Sequence, residues 1–93
     1  LRPPEPREFL PKVATDVGVP FCVQRRGREL LEEATQAGKH IGQSPSGIAA
    51  AAVYAAAEEY NKPLTQEAVA EVAGVSAVTI SRQYQRFLAE ESS

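Results

Sequence analysis

Ser44–Tyr60 reads SPSGIAAAAVYAAAEEY, and its composition constrains everything around it. The alanines, with Ile48, Val53 and Tyr54, cover nearly every side of a helix until Glu58 and Glu59 appear. A helix apolar all round belongs inside a protein. Alanine projects one methyl, so neighbouring helices can come close. Ser44 suits the N-cap, and Pro45 suits the first helical position, where no amide donor is needed. This stretch is therefore expected as a central helix ringed by others. An alanine-rich surface helix would carry charge along one whole face, and this one does not.

Towards the N-terminus, proline-rich Leu1–Pro6 reads as an extended linker to a longer protein. Phe9, Leu10, Val13, Ala14 and Val17 then follow helical spacing, with Pro11 expected in the first turn and Gly18 as the stop. A second helix is expected from Pro20 to about Ala37, burying Val23, Leu30, Leu31, Ala34 and Ala37. Gly27 costs that helix roughly 1 kcal/mol relative to alanine. Close packing and simple tolerance both account for it. Arg25, Arg26 and Arg28 either touch phosphate or an acidic partner, or pair with Glu29, Glu32 and Glu33 on a solvated face. The second reading is the simpler. Gly38–Gln43 is a loop, with His40 at its surface.

Towards the C-terminus, Asn61–Leu64 is a loop containing Pro63. Thr65 caps a short helix, Gln66–Ala73, with Ala68, Val69, Val72 and Ala73 inward. Gly74 turns the chain and Val75 plugs inward. Ser76 caps a last helix to about Glu90, with Ala77, Ile80, Tyr84, Phe87 and Leu88 as its core stripe. No stretch alternates as a strand does. The expected fold is all-α with five helices over residues 7–91.

The 93 residues suffice for one small core. With 43% hydrophobic and 24% charged residues, the composition is that of an ordinary globular domain. No apolar run is long enough to span a bilayer and no signal peptide opens the chain, so a cytoplasmic location is expected. Cys22, the single cysteine, excludes an internal disulfide and a structural zinc site, and is expected as a small buried apolar side chain. With one histidine and no nucleophile–base set, carboxylate pair or phosphate-cradling glycine loop at the needed spacing, no enzyme, cofactor or metal is expected. The net charge of −2 argues against a strongly basic nucleic-acid glove. Charge is nevertheless sorted: Ser76–Ala89 holds two arginines and no acid.

Gln66–Arg82, QEAVAEVAGVSAVTISR, has the spacing of a helix-turn-helix, here residues 65–90. Ala70 is small where the helices cross, Gly74 permits the turn, Val75 anchors it and Ile80 locks the second helix. With Ile80, Tyr84 and Phe87 inward, 100° per residue places Val78, Arg82, Gln85 and Arg86 outward, flanked by Thr79 and Ser81. In DNA-binding examples the second helix enters the major groove. Base contacts are expected from Val78, whose methyls suit thymine, and from Arg82, Ser81 and Thr79. Phosphate contacts are expected at Lys62, Thr65, Gln66, Ser76, Gln85 and Arg86, the capped N-termini offering free amides. So few cations imply weak binding without a partner or second domain.

The whole chain resembles the second cyclin-like repeat of archaeal transcription factor B, counterpart of the eukaryotic initiation factor IIB. FLPKVATDVGVP looks like the repeat's first helix. GQSPSGIAAAAVYAAA is similar to its central-helix signature, and TQEAVAEVAGVSAVTISRQYQRF resembles its closing helix-turn-helix. The resemblance implies a five-helix cyclin-like fold with the third helix as hub. It implies docking beside the TATA-binding protein on bent double-stranded promoter DNA, with the last two helices reading a purine-rich upstream element. Recruitment of RNA polymerase would run through a zinc ribbon and linker outside these residues. Val78 matches the family's base-contacting valine. Ser81 stands where the family usually has arginine, and Arg82 follows it. Gln43 stands where lysine or arginine often precedes Ser-Pro. These departures bear on which element is read.

Two other readings compete. VAEVAGVSAVTISR also resembles the helix-turn-helix of bacterial repressor headpieces, although those carry it at the extreme N-terminus. A cyclin-like protein-interaction module that never touches DNA is the other; an acidic or broadly apolar outward face on the last helix would favour it.

Overall fold

Ser44 and Pro45 start the helix on which the others pack. The Ser44 hydroxyl accepts from the Gly47 amide at 3.4 Å, and Pro45 takes the first helical position. The computed structural model describes residues 5–38, 44–62 and 64–91, with side-chain surroundings as far as residue 85. Its elements are α1 (Pro6–Val17), α2 (Phe21–Gln36), α3 (Pro45–Glu59), α4 (Gln66–Ala73) and α5 (Ala77–Glu91), with no strand among the described residues. The expectations for Lys39, His40, Gln43, Pro63, Phe87, Leu88 and the side chain of Arg86, and for the first four residues, lie outside that description.

α3 packs against all four other helices. Gly47–Val53 and Ala55–Ala57 are buried, so the helix has no solvent face until Glu58. One cluster joins Leu10, Val13 and Ala14 of α1, Leu31 and Ala34 of α2, Val69 and Ala70 of α4 and Ile80 of α5 to the first half of α3. A second joins Val23 and Leu30 to Ala55, Ala56 and Ala57. The alanines are what allow this: each brings a neighbouring backbone close without a rotamer to fix. Gly27 belongs to the same pattern. A Cβ there would lie 3.5 Å from Val53 Cα and 3.6 Å from Ala52 O, so α2 rests almost directly on the backbone of α3. Those are ordinary contact distances, so the packing tolerates glycine there without requiring it.

Arg26 ties the start of α2 to the end of α3. Its Nε donates to Glu59 Oε1 at 2.7 Å and its Nη1 to Glu29 Oε1 at 3.1 Å. The bond to Glu59, then that to Glu29, hold the guanidinium above its ordinary pKa. Pairing within α2 accounts for Glu29 and Glu33, but Glu59 comes from a helix 33 residues away in sequence. Arg25, Arg28 and Glu32 make no ion pair among the described residues.

Five expectations need correction. α1 opens at Pro6, where a capping box between Glu5 and Glu8 starts it, so Pro6 is helical and Pro11 is the sixth residue, not a first-turn one. Pro11 is exposed, so its ring lies on the solvent side of the helix, where its missing N–H forgoes the bond to the Arg7 carbonyl. Cys22 is exposed, because the neighbouring Val23 takes the inward direction. Ala37 and Ala68 are exposed rather than inward. Both lie in terminal turns, where helical spacing continues but the packing partner does not.

Candidate nucleic-acid interface

α4 and α5 meet through small residues and a tightly defined turn. Ala70 is 4% exposed at the crossing, and Ile80 of α5 is fully buried. Gly74 has φ +73°, a left-handed conformation that a side chain with a Cβ adopts only at a cost. The Val75 amide then reaches back to the Ala70 carbonyl at 3.0 Å and the Gly74 amide to Glu71 at 3.3 Å, which satisfies the last carbonyls of α4. Ser76 starts α5: its hydroxyl accepts from the Thr79 amide at 3.2 Å. The equivalent bond from Ala68 N–H to Thr65 Oγ1, 3.1 Å, starts α4.

α5 is fixed on α3 by its inward side. Tyr84 meets Tyr54 edge to face, with ring centroids 4.9 Å apart and planes at 88°. Gln83 is 3% exposed, a buried polar residue that helical spacing did not single out. The opposite side is open. Val78 is 65% exposed, and Arg82 and Gln85 are exposed beside it. Ser81 is partly buried between them.

These residues line a shallow surface concavity of about 400 Å³ with Ala77 and Gln66, the first residue of α4. The tertiary structure therefore brings together Val78, Ser81, Arg82, Gln85 and Gln66. Lys62, Thr65, Ser76 and Thr79 lie outside that lining. Lys62 is exposed in the turn that closes α3, its amide bonded to Ala57 O at 2.9 Å. Thr79 is partly buried, its hydroxyl 3.0 Å from that of Ser76. The concavity is lined by the apolar Ala77 and Val78 and by the polar Gln66, Ser81, Arg82 and Gln85. It contains no pair of groups able to exchange a proton with a substrate.

A hub helix ringed by four others, with the last two forming a helix-turn-helix, is the architecture of a cyclin-like repeat. Residues 2–90 match the family model described as "Transcription factor TFIIB repeat". The chain belongs to that family, which is one of transcription factors and not of enzymes. Among similar proteins, "Transcription initiation factor IIB 2" of Haloferax volcanii is 42% identical over 95% of this chain and 26% of the relative. "Transcription initiation factor IIB 6" of Halobacterium salinarum is 45% identical over 98% of this chain and 28% of the relative. "Transcription initiation factor IIB" of Methanopyrus kandleri is 41% identical, over 89% and 27%. The chain thus spans little more than a quarter of their length. No helix among the described residues is long and apolar enough to cross a membrane.

Proposed function

We propose that this chain is a promoter-binding module of a general initiation factor, which docks beside the TATA-binding protein and reads an upstream DNA element with α5. The observation that carries this reading is the outward side of α5, where Val78 is 65% exposed next to Arg82. A valine held out in water at the start of a capped helix gains nothing for the isolated domain. Against the thymine methyls of a major groove it finds apolar contact, and an arginine one turn on can bond a guanine edge. Ser81 and Thr79 flank these base contacts. Gln66, at the N-terminus of α4, and Gln85 face the adjoining backbone, with Ser76, Thr65, Lys62 and Arg86 as further phosphate contacts.

Ser81 is short and partly buried, so Arg82 supplies the long cationic side chain on this face. The element read should differ accordingly from one selected by an arginine at position 81. Membership of an initiation-factor family supports the promoter as the site of action, with RNA polymerase recruited by other parts of the factor inside the cell.

Selection from a random duplex pool, with and without the TATA-binding protein, tests the reading. A motif enriched upstream of the TATA box only when both proteins are present is the expected result. Equal recovery of all sequences would leave a protein-interaction module as the better description. Selection as tight without the TATA-binding protein would favour repressor-like binding.

A further inference from the structure

Gly47 is the third residue of α3, is buried, and precedes Ile48 and the alanine run that starts at Ala49. Its backbone does not require glycine: the positive-φ glycines among the described residues are Gly18, Gly38 and Gly74. Alanine is also the better helix former. What distinguishes the position is its neighbour. A Cβ on Gly47 would lie 3.3 Å from Thr79 Cγ2, in the first turn of α5, and 3.4 Å from Cβ of Ser44, the N-cap of its own helix.

Thr79 is poorly placed to yield. Its Oγ1 is 3.0 Å from Ser76 Oγ, and its amide donates to the same oxygen at 3.2 Å. The rotamer that keeps the hydroxyl on the cap keeps the methyl against Gly47. The first turn of α5 is therefore held by the Ser76 cap on one side and by a bare Cα on the other. Val78 directly precedes this contact and Arg82 follows it by three residues.

We infer that Gly47 is a positioning residue. The lack of a side chain there sets the height at which the first turn of α5 rests on α3, and hence where Val78 and Arg82 are presented. This rests on the reading of α5 as the DNA-facing helix. Adding a methyl asks Thr79 Cγ2 to give by a few tenths of an ångström, and with that rotamer held on the Ser76 cap the first turn of α5 gives with it. Contacts to base edges suffer first, because they are short and directional, whereas phosphate contacts through long side chains adapt.

The test uses the full chain with Gly47→Ala and Gly47→Val. Residual dipolar couplings report the orientation of α5 against α3 without DNA. Competition gel shifts with the TATA-binding protein report the affinity ratio for selected over scrambled DNA. The expected result is a reoriented α5, unchanged helix content, and a ratio lowered about threefold by alanine and about tenfold by valine, with the salt dependence unaltered. A merely structural role would lower stability and leave the ratio alone. In a Thr79→Ser background, which keeps the hydroxyl and removes the methyl, Gly47→Ala should change the ratio little relative to Thr79→Ser alone. An unmoved α5 in both variants overturns the inference even if wild type binds DNA as proposed. A reoriented α5 with an undiminished ratio, or an equal loss in the Thr79→Ser background, also overturns it. If the wild-type chain shows no preference for any sequence, the DNA reading itself fails and this role falls with it.

Discussion

Ser81 and Arg82 stand side by side on α5, yet about 100° of helix turns them in different directions. Ser81 is partly buried while Arg82 is exposed, although both line the same concavity. Among the residues whose side chains are described, the cation on this face is therefore Arg82. Replacing it by alanine should cost roughly 1–3 kcal/mol of sequence-specific binding and relax the preference at one base position. Quantitative footprinting on single-base variants of the selected element measures this. A uniform loss on every sequence, with a smaller salt slope, would instead make Arg82 a phosphate contact. Cys22 shows the limit of residue-type reasoning at this scale. Free cysteine is usually buried, but here Val23 occupies the inward direction and Cys22 faces out.

At the scale of elements, α3 and its contacts carry the stability. Ala52 is fully buried in the cluster that joins α3 to the other four helices, where a larger side chain must displace its neighbours. Ala52→Leu should destabilise the domain by about 1–3 kcal/mol, lowering the melting temperature by several degrees for each kcal/mol. Differential scanning calorimetry checks it; an unchanged midpoint would mean the neighbouring helices yield easily. The link between Arg26 and Glu59 joins α2 and α3 at the surface, with side chains 29% and 39% exposed. Solvent screens it, so Arg26→Ala should cost only about 1 kcal/mol, and less in 1 M salt. Urea melts at two salt concentrations would reveal the difference. The spacing of apolar residues located all five helices, and the Ser, Thr and Gly signals located the caps of α3, α4 and α5 and the turn at Gly74. The boundary at Pro6 escaped because a proline-rich run reads as extended until the Glu5–Glu8 capping box is recognised.

For the molecule as a whole, a net charge of −2 sets the terms of any encounter with DNA. On the proposed reading, attraction comes from a few cations, namely Lys62, Arg82 and Arg86. Neutralising about three phosphates predicts a slope near −3 in a plot of log K against log salt concentration. Gel shifts from 50 to 300 mM salt measure that slope. A value near −8 would require a much larger basic surface than α4 and α5 offer. So shallow a dependence also means modest affinity alone, consistent with the proposed need for the TATA-binding protein.

The amino-acid order alone settled the helical class, the inward place of the alanine-rich stretch and the outward side of α5. These follow from periodicity and side-chain chemistry within single elements, which need no knowledge of neighbours. Which residues from separate elements meet was decided by packing. Gln66 joins the α5 face, Glu59 reaches Arg26, and Gly47 supports Thr79 only because α3 fixes how its neighbours cross. Such pairings depend on angles and separations between helices, and no local pattern encodes them. A glycine set where alanine would make the better helix was the one trace of the last.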